Sequence, residues 1–275
     1  MSDFKFDDNG IHHVVMMSGG IGSWAAGKRV AEQVGAEHIT LLFTDTKFED
    51  EDTYRFLHDA ADNIGAPLEI IADGRDIWDV FADNKFLANS RVDICSRVLK
   101  REMADKWIAE RFTPANAVMY TGIDWSEIHR QERMAKRKLP WVYKAPLCEP
   151  PYLMKAEFHK WAESEGIRKQ RLYEMSMPHA NCGGGCVKAG VGHWRHLYKQ
   201  WPERYALWER KEQELYEKVP NAKPFLRVAE EGETRYMSLK QLREERLEPE
   251  ARGEACQIDM FDWGGCGCFA DTEED

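Results

Sequence analysis

Over the first 125 residues short apolar runs alternate with longer segments of helical period, an order that predicts a parallel α/β sheet. The runs at 13–17, 38–43, 67–72 and 117–121 are expected as strands, with 141–145 as a fifth ahead of Pro146. Between them, 23–34 and 52–64 are long enough for crossover helices, the second carrying Tyr54, Leu57, Ala61 and Ile64 at helical spacing. Ser96 is placed to cap a helix bearing Leu99, Met103 and Trp107. After Pro150 the pattern turns helical, at 154–165, 191–200 and 203–218, where Pro202 suits a first helical turn. From about Ala229 apolar periodicity fades, except at 239–246. The expected architecture is therefore a doubly wound, Rossmann-like parallel sheet over 1–150, a helical appendage over 151–228 and an acidic, cysteine-containing tail over 229–275.

Composition narrows the class without changing this picture. With 275 residues, 43% hydrophobic and 31% charged, the chain reads as an ordinary soluble protein rather than collagen, a disulfide miniprotein or a disordered polymer. No apolar run approaches the ~18 residues of a membrane span, so no membrane partner is expected. The opening MSDFKFDDNG is acidic, unlike a secretion signal, and a cytoplasmic location is expected.

Charge distribution changes the picture more than its total of −10. Residues 1–96 hold 8 Lys+Arg against 18 Asp+Glu, residues 97–228 hold 25 against 16, and residues 229–275 hold 5 against 14. A basic middle between two acidic segments is compatible with a polyanionic ligand, because local field steers binding. The cluster Arg130, Arg133, Lys136, Arg137 and Lys138 either follows a nucleic-acid backbone or solvates a helix face.

Two loops carry the candidate chemistry. Ser18-Gly19-Gly20-Ile21-Gly22-Ser23 lies where the first strand hands over to the first helix. Glycines expose consecutive N–H groups there, and the helix N-terminus adds its positive dipole end, so the loop suits phosphate. It lacks both GK[ST] and GxGxxG. The second loop is Cys182-Gly-Gly-Gly-Cys186, two of seven cysteines. In a reducing compartment such a pair points to metal or redox chemistry, and both zinc and iron–sulfur accept thiolates.

The first loop resembles the SGGxxS motif of the PP-loop ATPases, the adenine nucleotide α-hydrolase-like superfamily. Asp45-Thr46-Lys47-Phe48, followed by Asp52 to Phe56, is similar to the DTG…ETYRF segment of its phosphoadenylyl-sulfate reductase branch, with Lys47 replacing glycine. Thr121-Gly122-Ile123-Asp124, leading to Arg130, is similar to that family's TG…R segment. Ile21-Gly22 departs from the Lys-Asp that many members carry. The resemblance implies that Ser18, Gly19, Gly20, Gly22, Ser23, Asp45 and Gly122 hold an adenine nucleotide, either ATP with Mg²⁺ or the sulfonucleotides APS or PAPS, with Arg130 as the catalytic cation. It also implies a [4Fe-4S] cluster on Cys95, Cys182 and Cys186, its fourth position either open or filled by Cys148, Cys256, Cys266 or Cys268. The reductases' C-terminal ECGLH motif is absent, and Cys268, in a CxC, is the candidate tail thiol. His193 and His196 either line an RNA or cluster pocket or belong to the core or surface. The expected function is ATP-dependent sulfur transfer, with tRNA or DNA as acceptor and a separate sulfur donor. The alternatives are a sulfonucleotide reductase served by a thioredoxin-like reductant and a nucleotide-binding regulator without turnover; a homo-oligomer is expected.

Overall fold

Strands β1 (His12–Met17) and β2 (Ile39–Asp45) are buried at every position, as strands covered on both faces must be. The computed structural model of the chain describes residues 4–230, 233–254, 262 and 264. Cys256, Cys266 and Cys268, with the expectations placed on them, lie outside the described residues.

Helices α1 (Ile21–Val34), α2 (Glu51–Ile64), α3 (Ile77–Asp83), α4 (Ile94–Ser96), α5 (Met103–Ala109) and α6 (Ile128–Arg137) alternate with β1, β2, β3 (Leu68–Ala72), β4 (Ala117–Tyr120) and β5 (Val142–Lys144). The sheet is parallel throughout, in the order β3-β2-β1-β4-β5. This is the doubly wound arrangement expected, and its strand order reverses at β1. Side chains alternate across the sheet with the strand period of two. Val15, Met17, Leu41 and Phe43 face one core with α1 and α2, whereas Val14, Met16, Leu42 and Met119 face another with Trp107, Ile108 and Met134.

One predicted cap is corrected. Ser96 lies inside the helical run, which begins at Ile94 and passes through a π-helical turn (Arg97–Glu102) into α5. The preceding Asp93 does not cap it either; its carboxylate pairs with Arg101 and Lys188.

The second half is helical: α7 (Lys155–Ser164), α8 (Arg171–Glu174), α9 (Val191–Gln200) and α10 (Pro202–Lys218). It is joined to the sheet half through aromatic side chains. Trp208 makes edge contacts with Phe48, Trp78 and Trp194, each at 5.2 Å between ring centroids. Beyond α10 the chain forms an unpredicted antiparallel hairpin, β6 (Leu226–Glu230) with β7 (Glu233–Met237). Next come α11 (Leu239–Leu242), a π-helical turn (Arg243–Leu247) and α12 (Glu248–Ala251). Ser238 and Gln241 form the capping box that starts α11.

A buried carboxyl ties this end to α10. Glu212 is inaccessible to solvent and accepts hydrogen bonds from Tyr216 Oη and Leu239 N, each at 2.7 Å. Burial pushes its carboxyl up to about 7, outweighing the opposite pull of those two bonds. An acid whose folded value exceeds its unfolded one favours the fold in its neutral form. That contribution is complete below the ordinary value of 4.5 and is lost as pH rises through about 7. The thermal midpoint should therefore fall across this window, and Glu212→Gln should flatten the fall. An unchanged slope in the variant would assign the dependence to another group.

Candidate active site

In open α/β sheets ligands bind beyond the carboxyl ends of the strands, where strand order reverses. Here that point lies between β1 and β4, and a cavity of about 330 Å³ opens there. Its floor is the β1–α1 loop meeting the β4 loop. A Cβ on Gly122 would stand 2.6 Å from both Gly22 C and Ser23 N, and one on Gly22 would stand 2.9 Å from Gly122 O. Only two glycines let these backbones touch, which explains both residues without reference to phosphate.

The structure brings Ser18, Gly20, Gly22, Ser23, Gly122 and Arg130 onto the wall of this one cavity. Gly20 is the N-cap of α1, so the first-turn amides of Ile21 and Gly22 have no intrahelical acceptor. They make no hydrogen bond among the described residues. Ser23 Oγ donates to Gly20 O at 2.7 Å and braces the turn. Arg130 donates to Glu127 through Nη1, while its Nε is buried with no hydrogen-bond partner. A half-buried guanidinium with one unanswered N–H, beside free helix-start amides, makes an anion site.

Two expected members stand elsewhere. Gly19 is not on the wall; its carbonyl accepts from Gln170 Nε2 at 2.7 Å. Asp45 also lies outside it. Its carboxylate accepts from Tyr54 Oη at 2.7 Å and Lys47 N at 2.8 Å and pairs with Lys47 Nζ at 3.1 Å. Three donors already serve Asp45, so the assignment to the nucleotide gives way to one that shapes the β2–α2 turn.

The helical half adds Lys155, Phe158, Tyr173, His179 and Asn181 to the wall. His179 is held neutral, its pKa lowered to about 3 chiefly by burial, and its Nδ1 has no hydrogen-bond partner. It stacks on His193, ring centroids 5.3 Å apart. His193 is itself fully buried with Nε2 on Gly184 O at 2.7 Å, and His196 Nε2 meets Met175 O at 2.6 Å. Neither His193 nor His196 lines the cavity.

A second, smaller cavity of about 20 Å³ is lined by Cys95, Cys182 and Cys186 together with Lys100 and Lys188. The three predicted thiols thus converge from two segments. Lys100 and Lys188 are buried, pairing with Glu49 and Asp93 at 3.3 Å each. Glu49 also accepts from Cys182 N, and Thr46 adds to the lining. Thr46 of the DTKF segment and Glu49 just after it therefore help to build the thiol site.

Arg204 holds the Cys182–Cys186 loop from below. Its guanidinium donates to Gly183 O at 3.0 Å, Cys182 O at 3.2 Å and Phe48 O at 2.8 Å. Gly183 has φ of +60°, and a Cβ there would fall 1.8 Å from Arg204 Nη2. Cys182, a non-glycine residue, is itself left-handed at φ +51°, a cost of about 1–3 kcal/mol that tends to be retained where a side chain must be aimed.

As folded, no group of three His, Cys, Asp or Glu among the described residues is placed to hold a metal ion. The donor chemistry does fit a thiolate-bound centre, because three cysteine sulfurs from two segments line one cavity, and Lys100 and Lys188 beside them keep its wall neutral through their pairs with Glu49 and Asp93. Cys148 does not belong to this set. It packs against the opposite face of the sheet and its Sγ donates to Ile123 O at 3.5 Å. Burial, with Asp124, Glu127 and Glu149 nearby, pushes its thiol up to about 11.

Comparison with known proteins adds likeness of fold. No protein-family model matches the chain, and no curated protein sequence matches it. Among solved structures, phosphoadenylyl-sulfate (PAPS) reductase from Candida auris in its phosphate complex superposes with a TM-score of 0.44 at 14% identity, covering 60% of this chain and 78% of that one. The U34-tRNA thiolase NcsA from Methanococcus maripaludis, with its [4Fe-4S] cluster, superposes with a TM-score of 0.45 at 14% identity, covering 78% of this chain and 71% of that one. No helix of the described residues is long and apolar enough to cross a membrane.

Proposed function

We propose that this chain is a PP-loop-type enzyme that activates an acceptor with ATP and passes sulfur to it beside an iron–sulfur centre. The supporting observation is the junction of the two cavities. His179, Ala180 and Asn181 wall the phosphate-sized cavity, and the next residue, Cys182, lines the thiol cavity.

An acceptor oxygen attacks the α-phosphorus of ATP, and pyrophosphate leaves. Sulfide then attacks the acceptor carbon and displaces AMP, which carries away the former acceptor oxygen. The Ile21 and Gly22 amides and the Arg130 guanidinium receive phosphate oxygens and stabilise the charge that grows on them. Asp124, on the cavity wall, is the carboxylate that would hold Mg²⁺, which when bound would neutralise phosphate charge. Cys95, Cys182 and Cys186 would hold the cluster, which when bound supplies a metal site able to carry sulfur.

The test uses anaerobically purified protein, assayed for iron and sulfide content and for pyrophosphate and AMP release from ATP with sulfide and nucleic acid present. Iron with ATP-derived pyrophosphate is the expected result. Zinc in place of iron overturns the cluster assignment. Sulfite release from APS or PAPS with thioredoxin, or ATP binding without turnover, overturns the transfer reaction in favour of a reductase or a regulator.

A further inference from the structure

Two exposed rings stand on the chain segments that adjoin the lining of the larger cavity. Trp125 is 38% and Tyr152 57% exposed, yet they meet edge to face with centroids 6.1 Å apart. Neither is loosely held at its base. Asp124 caps the turn Trp125–Glu127 by accepting from Ser126 N at 2.9 Å. Trp125 Nε1 donates to Leu153 O at 3.1 Å and ties the indole to the segment that bears Tyr152. Both lie at the rim, because Asp124 and Glu127 on one side and Lys155 on the other line the cavity itself.

Beside the rings, α6 is strongly basic. It carries His129, Arg130, Arg133, Lys136 and Arg137, with Glu132 as its one acid. Arg130, Arg133 and Arg137 recur at helical spacing, so one stripe of guanidinium groups runs outward from the cavity for about 10 Å, at 1.5 Å per residue. Gln131 and Met134 take the inward positions, Gln131 Nε2 donating to Tyr143 O at 2.8 Å. Arg133 and Lys136 are exposed and form no ion pair with any described residue. Those two side chains differ from Arg130, paired with Glu127, and Lys138, paired with Asp105.

We propose that Trp125 and Tyr152 are a stacking platform for an unpaired base of a single-stranded nucleic acid whose phosphates follow the basic stripe of α6. A polyanion with exposed planar faces satisfies both halves of this surface. Duplex keeps its bases stacked on one another and offers none to the rings. An acidic peptide answers the arginines and leaves the rings bare. The geometry places the strand so that a nucleotide held on the rings stands at the mouth of the cavity where the acceptor is activated, and in this the inference rests on the proposed function.

Binding separates the two readings, since it requires neither ATP turnover nor a metal centre. Fluorescence anisotropy of a short, labelled, mixed-sequence single strand should show weakening by about tenfold for Trp125→Ala and for Tyr152→Ala, with Trp125→Phe retaining most of the affinity. Arg133→Ala should reduce the slope of log affinity against log salt by about 0.7. ATP-analogue binding and circular dichroism should be unchanged in all of these variants, which excludes misfolding as the cause. Equal affinity for duplex, competition by polyglutamate at equal charge, or full single-strand affinity in the Trp125→Ala/Tyr152→Ala double variant would each overturn the platform. Ring-dependent strand binding without pyrophosphate release would sustain the platform and remove the transfer reaction; turnover with a small acceptor and no strand binding would do the reverse.

Discussion

Iron and acid-labile sulfide should fall to background in Cys182→Ala and Cys186→Ala protein purified without oxygen, while Cys148→Ala retains both. The contrast follows from where the sulfurs lie. Cys182 and Cys186 are the two ends of a loop clamped by Arg204, and both face the cavity that also receives Cys95. Removing either sulfur leaves two thiols among buried Lys100 and Lys188, too few to satisfy a four-iron centre with at most one open position. Cys148 is on the other side of the sheet with a thiol pushed up to about 11, which disfavours the thiolate that ligates metal. Its truncation costs one weak hydrogen bond and leaves the loop untouched. Elemental analysis and the visible absorption of the purified variants decide the matter, and full iron in both loop variants would overturn the assignment.

Pyrophosphate release from ATP should drop by about 10²–10³-fold in Arg130→Ala, the range found when a donor to developing oxyanion charge is removed. Arg130 is anchored by Glu127, so the side chain is positioned before ligand arrives. Its Nε is buried and unanswered, a desolvation cost of about 1–3 kcal/mol in the ligand-free protein that a phosphate oxygen would relieve. Lysine supplies charge without the planar fork, so Arg130→Lys should recover only part of the rate. The amides of Ile21 and Gly22 persist in both variants. The loss should therefore fall mainly on kcat, with the KM for ATP changing less. Steady-state kinetics with a coupled pyrophosphate assay reads both quantities, and wild-type kcat in Arg130→Ala would remove the residue from the reaction.

Those elements of the fold that were legible in the sequence share a physical cause. Central strands covered on both faces read as unbroken apolar runs, so β1, β2 and β4 begin and end within a residue or two of expectation. The Ser18–Ser23 loop was legible as a tight strand-to-helix turn because its glycines follow a buried strand and open α1. The three cysteines around the smaller cavity were legible as candidates by residue type alone, although only tertiary contact brings Cys95 to the other two. Asp45 shows the opposite case. A carboxylate at a strand's end can turn to the ligand or to its own loop, and Tyr54, one helical turn into α2, decides which. His179, Tyr173 and Asn181 lie in a segment without periodicity, so nothing local marks them as wall. The hairpin after Phe225 was hidden because only Leu226, Val228 and Met237 turn into the core while most of the rest of its two short strands is polar, too few apolar positions to mark a strand pair in sequence.

The seam between Gly22 and Gly122 has a consequence for how this cavity can be altered. Each glycine occupies the space that the other's missing side chain leaves, so the phosphate loop and the β4 loop are cut to one another like a key and its slot. A loop transplanted from another protein brings its own backbone height and will seat only with its original counterpart. Exchange of nucleotide preference by grafting must therefore move both loops together, although about a hundred residues of chain separate them.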